Sequence, residues 1–369
     1  MAKASSSYPI LLLTVYPPAR IGGTRYRIEQ YIPLLRKEGF EIEWVSFFSL
    51  EEYEAFLRPS ESLLKKVGLF VKNLGRSILQ ALFRRQWRGI YLYREATLLG
   101  TPLIEHLWMR GLPVLLDFDD AIWIVDTSPQ FRRFAWLKSP KKLSKLLRKS
   151  AVVTVCNEFL ASYARKYAQD VRIIPTTVDT DLYHPVGKPG HIKPVVIGWS
   201  GSSTTLAHLR TVEAALKQLH EKYKDEVHFL FVGAPEYKPP FPAEVLPWSA
   251  ATEIALLQRM DIGIMPLPDT VWSRGKCALK ALLYMSVGVP PVVSPIGMNC
   301  EVVRDGIDGL WAGSISDWVE KLSFLIEHPQ ERKRLGAAAR QKVVEKYSTY
   351  ANAEKYIQAF RAAFGDPRG

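Results

Sequence analysis

The sequence predicts an α/β chain made of two Rossmann-like parallel-sheet domains. Three observations carry this expectation. Short apolar runs alternate with helical patterns along the whole chain, a proline- and glycine-rich break interrupts the series near its middle, and 369 residues is enough for two domains that each bury a core. Composition agrees: 47% of residues are hydrophobic and 23% charged, as in folded globular proteins rather than disordered ones.

The elements follow in order. Residues 10–15 read Ile-Leu-Leu-Leu-Thr-Val, the pattern of a strand buried on both faces, and 26–38 carries helical spacing that ends at Gly39. Further strands are expected at 41–47, 90–93, 114–117, 152–155 and 171–174. Residues 185–190 (Pro-Val-Gly-Lys-Pro-Gly) break all periodicity, and the rhythm restarts at 195–199. A helix at 205–223, a strand at 227–232, a helix at 251–259 and a strand at 262–265 follow. The expected division is therefore 1–187, 188–345 and a last helix at 346–369, with Tyr356, Phe360 and Phe364 at four-residue steps as a packing stripe.

The apolar run at 10–15 is far too short to span a bilayer and is preceded only by Lys3 as a positive residue, so a cytoplasmic location without a cleaved signal is expected. Cys156, Cys277 and Cys300 show neither a metal-type nor a disulfide-type spacing. The formal net charge of +12 is uneven: residues 1–187 hold 27 Lys and Arg against 18 Asp and Glu, and 188–369 hold 22 against 19. Residues 62–94 contain eight basic residues and no acid, with apolar residues recurring at three- and four-residue steps. That is the pattern of a basic amphipathic helix, which either packs its stripe on its own domain or lies on an anionic membrane surface. No nucleic-acid motif accompanies it.

The most informative stretch is 273–297, which reads as a turn, a helix, a tight turn and a buried strand. Gly275 frees the loop, a helix over 278–287 aims its first amides at that loop, and Lys276 and Lys280 add positive charge. A diphosphate suits such an end. Gly288 ends the helix, and Pro290 and Pro291 prevent its continuation into the strand at Val292 and Val293.

Met285, Gly288, Val289, Pro290 and Ser294 resemble the donor-binding segment of family 4 glycosyltransferases of the GT-B fold, whose usual form is Glu, seven residues, Glu, then Ala-Met-Ala-x-Gly-x-Pro-Val-Val-Ala-Ser. Both glutamates are missing. Gly275 stands at the first, which in the family meets the transferred sugar, and Leu283 at the second, which holds the nucleotide ribose. The Gly-Lys-x-x-x-Lys-x-x-x-Tyr-Met version resembles a subgroup in which lysines do part of the donor work. The resemblance extends along most of the chain: Ile174-Pro-Thr-Thr-Val-Asp is similar to the family's Ile-Pro-Asn-Gly-Val-Asp, with Thr176 and Thr177 in place of Asn-Gly.

The resemblance implies two domains facing a central cleft and transfer of a sugar, with retention, from a UDP- or GDP-linked donor to a membrane-linked or polysaccharide acceptor in cell-surface glycan synthesis. No cofactor or catalytic metal is expected. On the donor side it implies Gly22 and Gly23 after the first strand, Gly201 and Ser202 after the strand at 195–199, Lys276, Lys280 and Glu301. Gly233 and Trp248 fall where relatives place the base. Arg25 and Arg27 suit an acceptor or a phosphate. Asp119 and Asp120, in the run Asp117-Phe-Asp-Asp, are the candidate catalytic carboxylates, able to take an acceptor proton or orient the sugar. Three plainer roles remain open for this run: a divalent metal pair, a helix cap, and pairing with Arg94. Ser202 and its neighbours equally suit a helix cap. Two other functions stay open: a non-catalytic relative that binds a sugar nucleotide or scaffolds a membrane assembly, and a sugar-nucleotide epimerase.

Overall fold

A computed structural model describes residues 8–58, 60–83, 86–124, 139–187 and 194–367. The chain divides into two compact units, Met1–Pro175 with Asn352–Gly369, and Thr176–Ala351. Each is built around one six-stranded, wholly parallel sheet with helices. Arg84 and Arg85 of the basic stretch, and residues 188–190 of the central break, lie outside the described residues.

The first sheet comprises β1 (Tyr8–Thr14), β2 (Phe40–Ser46), β3 (Gly89–Tyr93), β4 (Val114–Phe118), β5 (Val152–Val155) and β6 (Val171–Ile173), in the order β2-β1-β3-β4-β5-β6. β1 is paired on both sides, Ile10 with Ile42 and with Gly89, so its central residues are excluded from water and its apolar run is continuous. The expected helix at 26–38 is three pieces, Gly22–Arg27, a 3₁₀ turn at Glu29–Tyr31 and Ile32–Lys37. The last piece has a proline in its first turn, where the missing N–H costs no helical bond. The terminal helix Thr349–Phe364 completes this unit's core: Tyr356 stacks on Tyr31, and Phe360 packs on Phe40 and Tyr91.

The second sheet comprises β7 (Val195–Ser200), β8 (Val227–Val232), β9 (Glu244–Leu246), β10 (Ile262–Met265), β11 (Pro291–Val293) and β12 (Leu310–Trp311), in the order β12-β11-β10-β7-β8-β9. Counted within the unit this is the doubly wound Rossmann order, with the reversal between β7 and β10. β9 and β12 are edge strands of three and two residues, too short to show a period. Residues 176–187 sit in this unit. Val178 exchanges backbone bonds with Tyr347 and Thr349, and Arg340 donates to the carbonyls of Thr180 and Tyr183.

Two helices in this unit show how local sequence sets boundaries. Helix Leu279–Ser286 ends in a Schellman turn: Gly288, at φ +75°, donates to Met285 O and Val289 donates to Tyr284 O. Helix Ile315–Glu327 opens on a reciprocal cap between Ser314 and Asp317.

Candidate functional site

In each unit the chemically rich residues gather at the carboxyl ends of the strands beside the reversal in strand order, where ligands bind in open parallel sheets. In the second unit these are the ends of β7 and β10. Gly201 follows β7, and its amide donates to Val232 O at 2.9 Å. Gly233 follows β8 at φ +99°, and a Cβ placed there would come within 1.8 Å of Gly201 O. The two loops therefore touch backbone to backbone, with Trp248 against Gly233. Trp248 is half-buried, and its indole donates to Glu253 Oε1 at 2.9 Å while Tyr183 OH donates to Oε2 at 2.7 Å. Gly201, Gly233 and Trp248 are thus brought together as one corner. Ser202 caps the following turn through a reciprocal pair with Thr205, with its hydroxyl exposed.

The expected anion end lies beside this corner. Helix Leu279–Ser286 begins at Ala278, which holds a left-handed backbone (φ +54°) without being glycine. That conformation costs about 1–3 kcal/mol and is held by the surrounding packing. Tyr284 from this helix crosses to β7, accepting from Ser200 N at 2.9 Å, and only a glycine at 263 leaves room for its ring. The arrangement fixes the helix start over the sheet edge. Lys280 Nζ stands 5.9 Å from the ring centre of buried Trp199, and Lys276 Nζ 5.1 Å from that of Trp272. The loop after β11 closes in from the side, where Gly297 would carry a Cβ only 2.9 Å from Arg274 O.

A residue not singled out by sequence completes the cluster. His208, on helix Leu206–Arg210 after the serine-rich loop, is half-buried. Burial, with Lys280 and Lys276 nearby, pulls its imidazole down to about 4, so it is neutral at ordinary pH. Its only sequence signal is its place one turn beyond the Gly201 loop. The two lysines and a neutral imidazole form one electropositive cluster.

Leu283, where the family's ribose-binding glutamate falls, is 4% exposed and part of the core. Glu301 is exposed on Asn299–Val302, with its carboxylate near Cys300 and Tyr347 and its carbonyl accepting from Lys342.

In the first unit the gathered ends are those of β1, β3 and β4. Gly22 and Gly23 open the short helix after β1, and a Cβ on Gly23 would meet Tyr93 OH at 1.8 Å and Asp119 Oδ2 at 3.1 Å. Arg94 follows β3 with a left-handed backbone, φ +58°. Its guanidinium binds both candidate carboxylates, Nε to Asp119 Oδ1 at 2.7 Å and Nη2 to Asp120 Oδ2 at 2.6 Å, and Tyr93 OH donates to Asp119 at 2.7 Å. The pairing with Arg94 is therefore realised. It orients both carboxylates and leaves them 11% and 15% exposed. Burial raises the Tyr93 and Tyr16 phenols above their ordinary range, so both stay protonated as donors beside this cluster. Among the described residues no group of three or more His, Cys, Asp or Glu is placed to hold a metal ion.

Arg27 corrects an expectation. Its side chain is fully buried, donating to Asp117 through Nε (3.0 Å) and Nη2 (2.6 Å) and to Ile174 O through Nη1. A guanidinium 0% exposed has no path to an acceptor or phosphate. Arg27 instead holds β4 and the end of β6 to the first helix. Arg25, half-buried, lies over Tyr26 and near Glu29.

Comparison with known proteins agrees with this geometry. Residues 194–328 match the family Glycosyl transferases group 1. No curated protein matches the chain in sequence. Among solved structures, sucrose-phosphate synthase from Thermosynechococcus elongatus is similar with a TM-score of 0.68 at 15% identity, covering 96% of this chain and 98% of that one. Anabaena HepE in complex with UDP-glucose gives 0.66 at 13% identity, covering 96% and 99%. The catalytic domain of starch synthase IV from Arabidopsis thaliana, bound to ADP and acarbose, gives 0.65 at 11% identity, covering 97% and 100%. With its two doubly wound parallel sheets the chain has the GT-B fold, and residues 194–328 of its second unit match a glycosyl transferases group 1 domain.

Proposed function

We propose that the chain transfers a hexose-type sugar from a nucleotide-diphosphate donor, UDP- or GDP-linked, to a membrane-linked or polysaccharide acceptor. The reading extends to retention at the anomeric carbon and to cell-surface glycan synthesis at the cytoplasmic face of the membrane. The observation that carries it is the convergence of Lys276, Lys280, His208 and the Gly201 loop at the reversal between β7 and β10. A departing nucleotide diphosphate needs positive charge placed in advance, and two lysines beside a helix start supply it. That supply supports transfer without a resident metal. The ligands named for structurally similar proteins, UDP-glucose and ADP, point to the same donor class.

In the first unit, Asp119 and Asp120 are held by Arg94 and Tyr93 at the strand ends. We assign them the orientation of the acceptor hydroxyl or the sugar. Both carboxylates already accept from Arg94, so positioning is the larger part of that role.

The burial of Leu283 favours one other reading, a non-catalytic relative that binds the donor without turning it over. A thermal-shift screen against UDP, GDP, ADP and their sugar conjugates tests donor binding, because a ligand of the native state raises the melting temperature. A shift with one nucleotide, together with release of that nucleotide from its sugar conjugate on addition of acceptor, supports transfer. A shift without turnover selects the non-catalytic reading, and no shift with any of them refutes the donor site.

A further inference from the structure

Helix Leu63–Leu82 is packed the opposite way from an ordinary amphipathic helix. Its protein-facing residues include Asn73, Ser77 and Ala81, all buried and four residues apart, and Ser77 Oγ accepts from the indole of Trp108 at 3.0 Å. Phe70 and Leu74 join the small cluster around Phe47 and Phe48. Several other large apolar side chains face out. Leu64 is 86% exposed, Val71 60%, Leu79 58% and Phe83 82%, with Val67 and Leu82 also exposed.

At 100° per residue, positions 64, 67, 71, 75, 79 and 82 lie on one face. Gly68 and Gly75 belong to the same face, and a Cβ on either would meet nothing within 4 Å. The result is a smooth apolar strip about 30 Å long. Scattered exposed leucines need no explanation, but a continuous strip of this length does.

The charge around the strip selects its occupant. Lys65 and Lys72, 57% and 66% exposed, flank it. The acids in reach are Glu61, paired to Lys65, and Glu52, paired to Lys72 and Arg76. The 62–94 stretch itself has none. A second copy of the chain would bring like charges together, whereas an anionic lipid surface complements them. No helix among the described residues is long and apolar enough to cross a membrane, so this one lies along the surface.

We infer that the outward strip of Leu63–Leu82 inserts into the headgroup boundary of an anionic bilayer, with Lys65 and Lys72 on lipid phosphates. The inference deepens the membrane part of the proposed function by naming the face that docks, and it does not depend on the donor site.

The test is flotation of the full chain with vesicles of phosphatidylcholine alone or with roughly one-third phosphatidylglycerol. Wild type is expected to float with the anionic vesicles only. The variant Leu64→Asn/Val71→Asn/Leu79→Asn should partition on the order of a hundredfold less, since each exposed apolar side chain loses its transfer into lipid. Lys65→Gln/Lys72→Gln should lose about thirtyfold, at about 1 kcal/mol per lysine near the surface. Both variants should keep the wild-type melting temperature, because the replaced side chains are exposed. A wild type that ignores anionic vesicles at low salt overturns the inference. So does an apolar triple variant that still floats like wild type. A wild-type dimer that the triple variant dissociates also overturns it, by giving the strip to a second copy. Flotation needs no donor, so its failure leaves the donor-transfer reading standing, and a failed nucleotide screen leaves the docking face standing.

Discussion

Replacing Arg27 by methionine separates a structural arginine from a ligand-binding one. Arg27 and Asp117 are both fully buried, and the Asp117 carboxylate accepts four hydrogen bonds: two from Arg27, one from Tyr91 OH at 2.8 Å and one from Thr154 Oγ1 at 2.7 Å. Arg27→Met removes two of the four and all of the compensating charge, leaving a carboxylate in the core with two neutral donors. Breaking a buried pair in this way costs about 3–5 kcal/mol. Removing both partners costs less, because no uncompensated charge remains, so Arg27→Met/Asp117→Leu should recover about 1–2 kcal/mol of the loss. Urea unfolding followed by tryptophan fluorescence reads the change, with the midpoint of the first unit's transition falling in the single variant and rising part of the way back in the double. Nucleotide affinity, read on the folded protein, should not move, because the proposed donor residues Lys276 and Lys280 belong to the second unit. An Arg27→Met protein with wild-type stability and lost transfer would refute this reasoning and return Arg27 to the acceptor site.

Three further outcomes are expected. Lys280→Ala should weaken nucleotide binding by about ten- to a hundredfold, as expected for losing one charge-assisted bond, with stability changed by less than about 0.5 kcal/mol; calorimetric titration checks the first and a melt the second. Gly233→Ala should destabilise the second unit by several kcal/mol, on the order of 2–4, because φ +99° is strained for alanine and the Cβ has only 1.8 Å to Gly201 O; a melting curve that matches wild type would contradict the tight loop contact. His208 is held near 4 in the folded chain against 6.5 unperturbed, so the unfolded state binds the extra proton between those values. Its contribution to stability is full above 6.5 and is lost as pH falls toward 4; His208→Gln should flatten the fall in melting temperature over that window.

Legibility in the sequence followed how local the deciding physics was. The strand 10–15 and the Schellman turn at Gly288 announce themselves, since a strand paired on both sides needs an unbroken apolar run and a positive φ selects glycine. The pairing of Arg94 with Asp119 and Asp120 was one of the open readings of the Asp117–Asp120 run, and it is the one realised. The fate of Arg27 was not legible. Arg25 and Arg27 stand two apart on a helix and so point about 200° apart, one inward and one outward, and nothing local says which. Helix 63–82 stayed open between its two readings for a related reason: periodicity shows that a stripe exists, but which side faces the protein is decided by Trp108 and Phe47, far away in sequence. His208 carried no motif, because its neutrality comes from burial in the folded unit and from lysines some seventy residues on.

The loss of both family glutamates reads differently once the donor helix is seen in place. At 283 a glutamate would have to lie in core that leucine fills at 4% exposure, while the polar handles stand earlier, at 276 and 280. On the proposed reading the segment offers ammonium groups, which suit phosphate, in place of the carboxylates that in the resembled family hold sugar and ribose hydroxyls. Two lysines beside a helix start suit the diphosphate, the part common to every nucleotide sugar, and make no distinction among sugars. On the proposed reading, recognition at this helix is of the leaving group. Choice of sugar then rests with groups outside the helix, and the Trp248 corner, with its indole fixed by Glu253, stands where a base would be told apart.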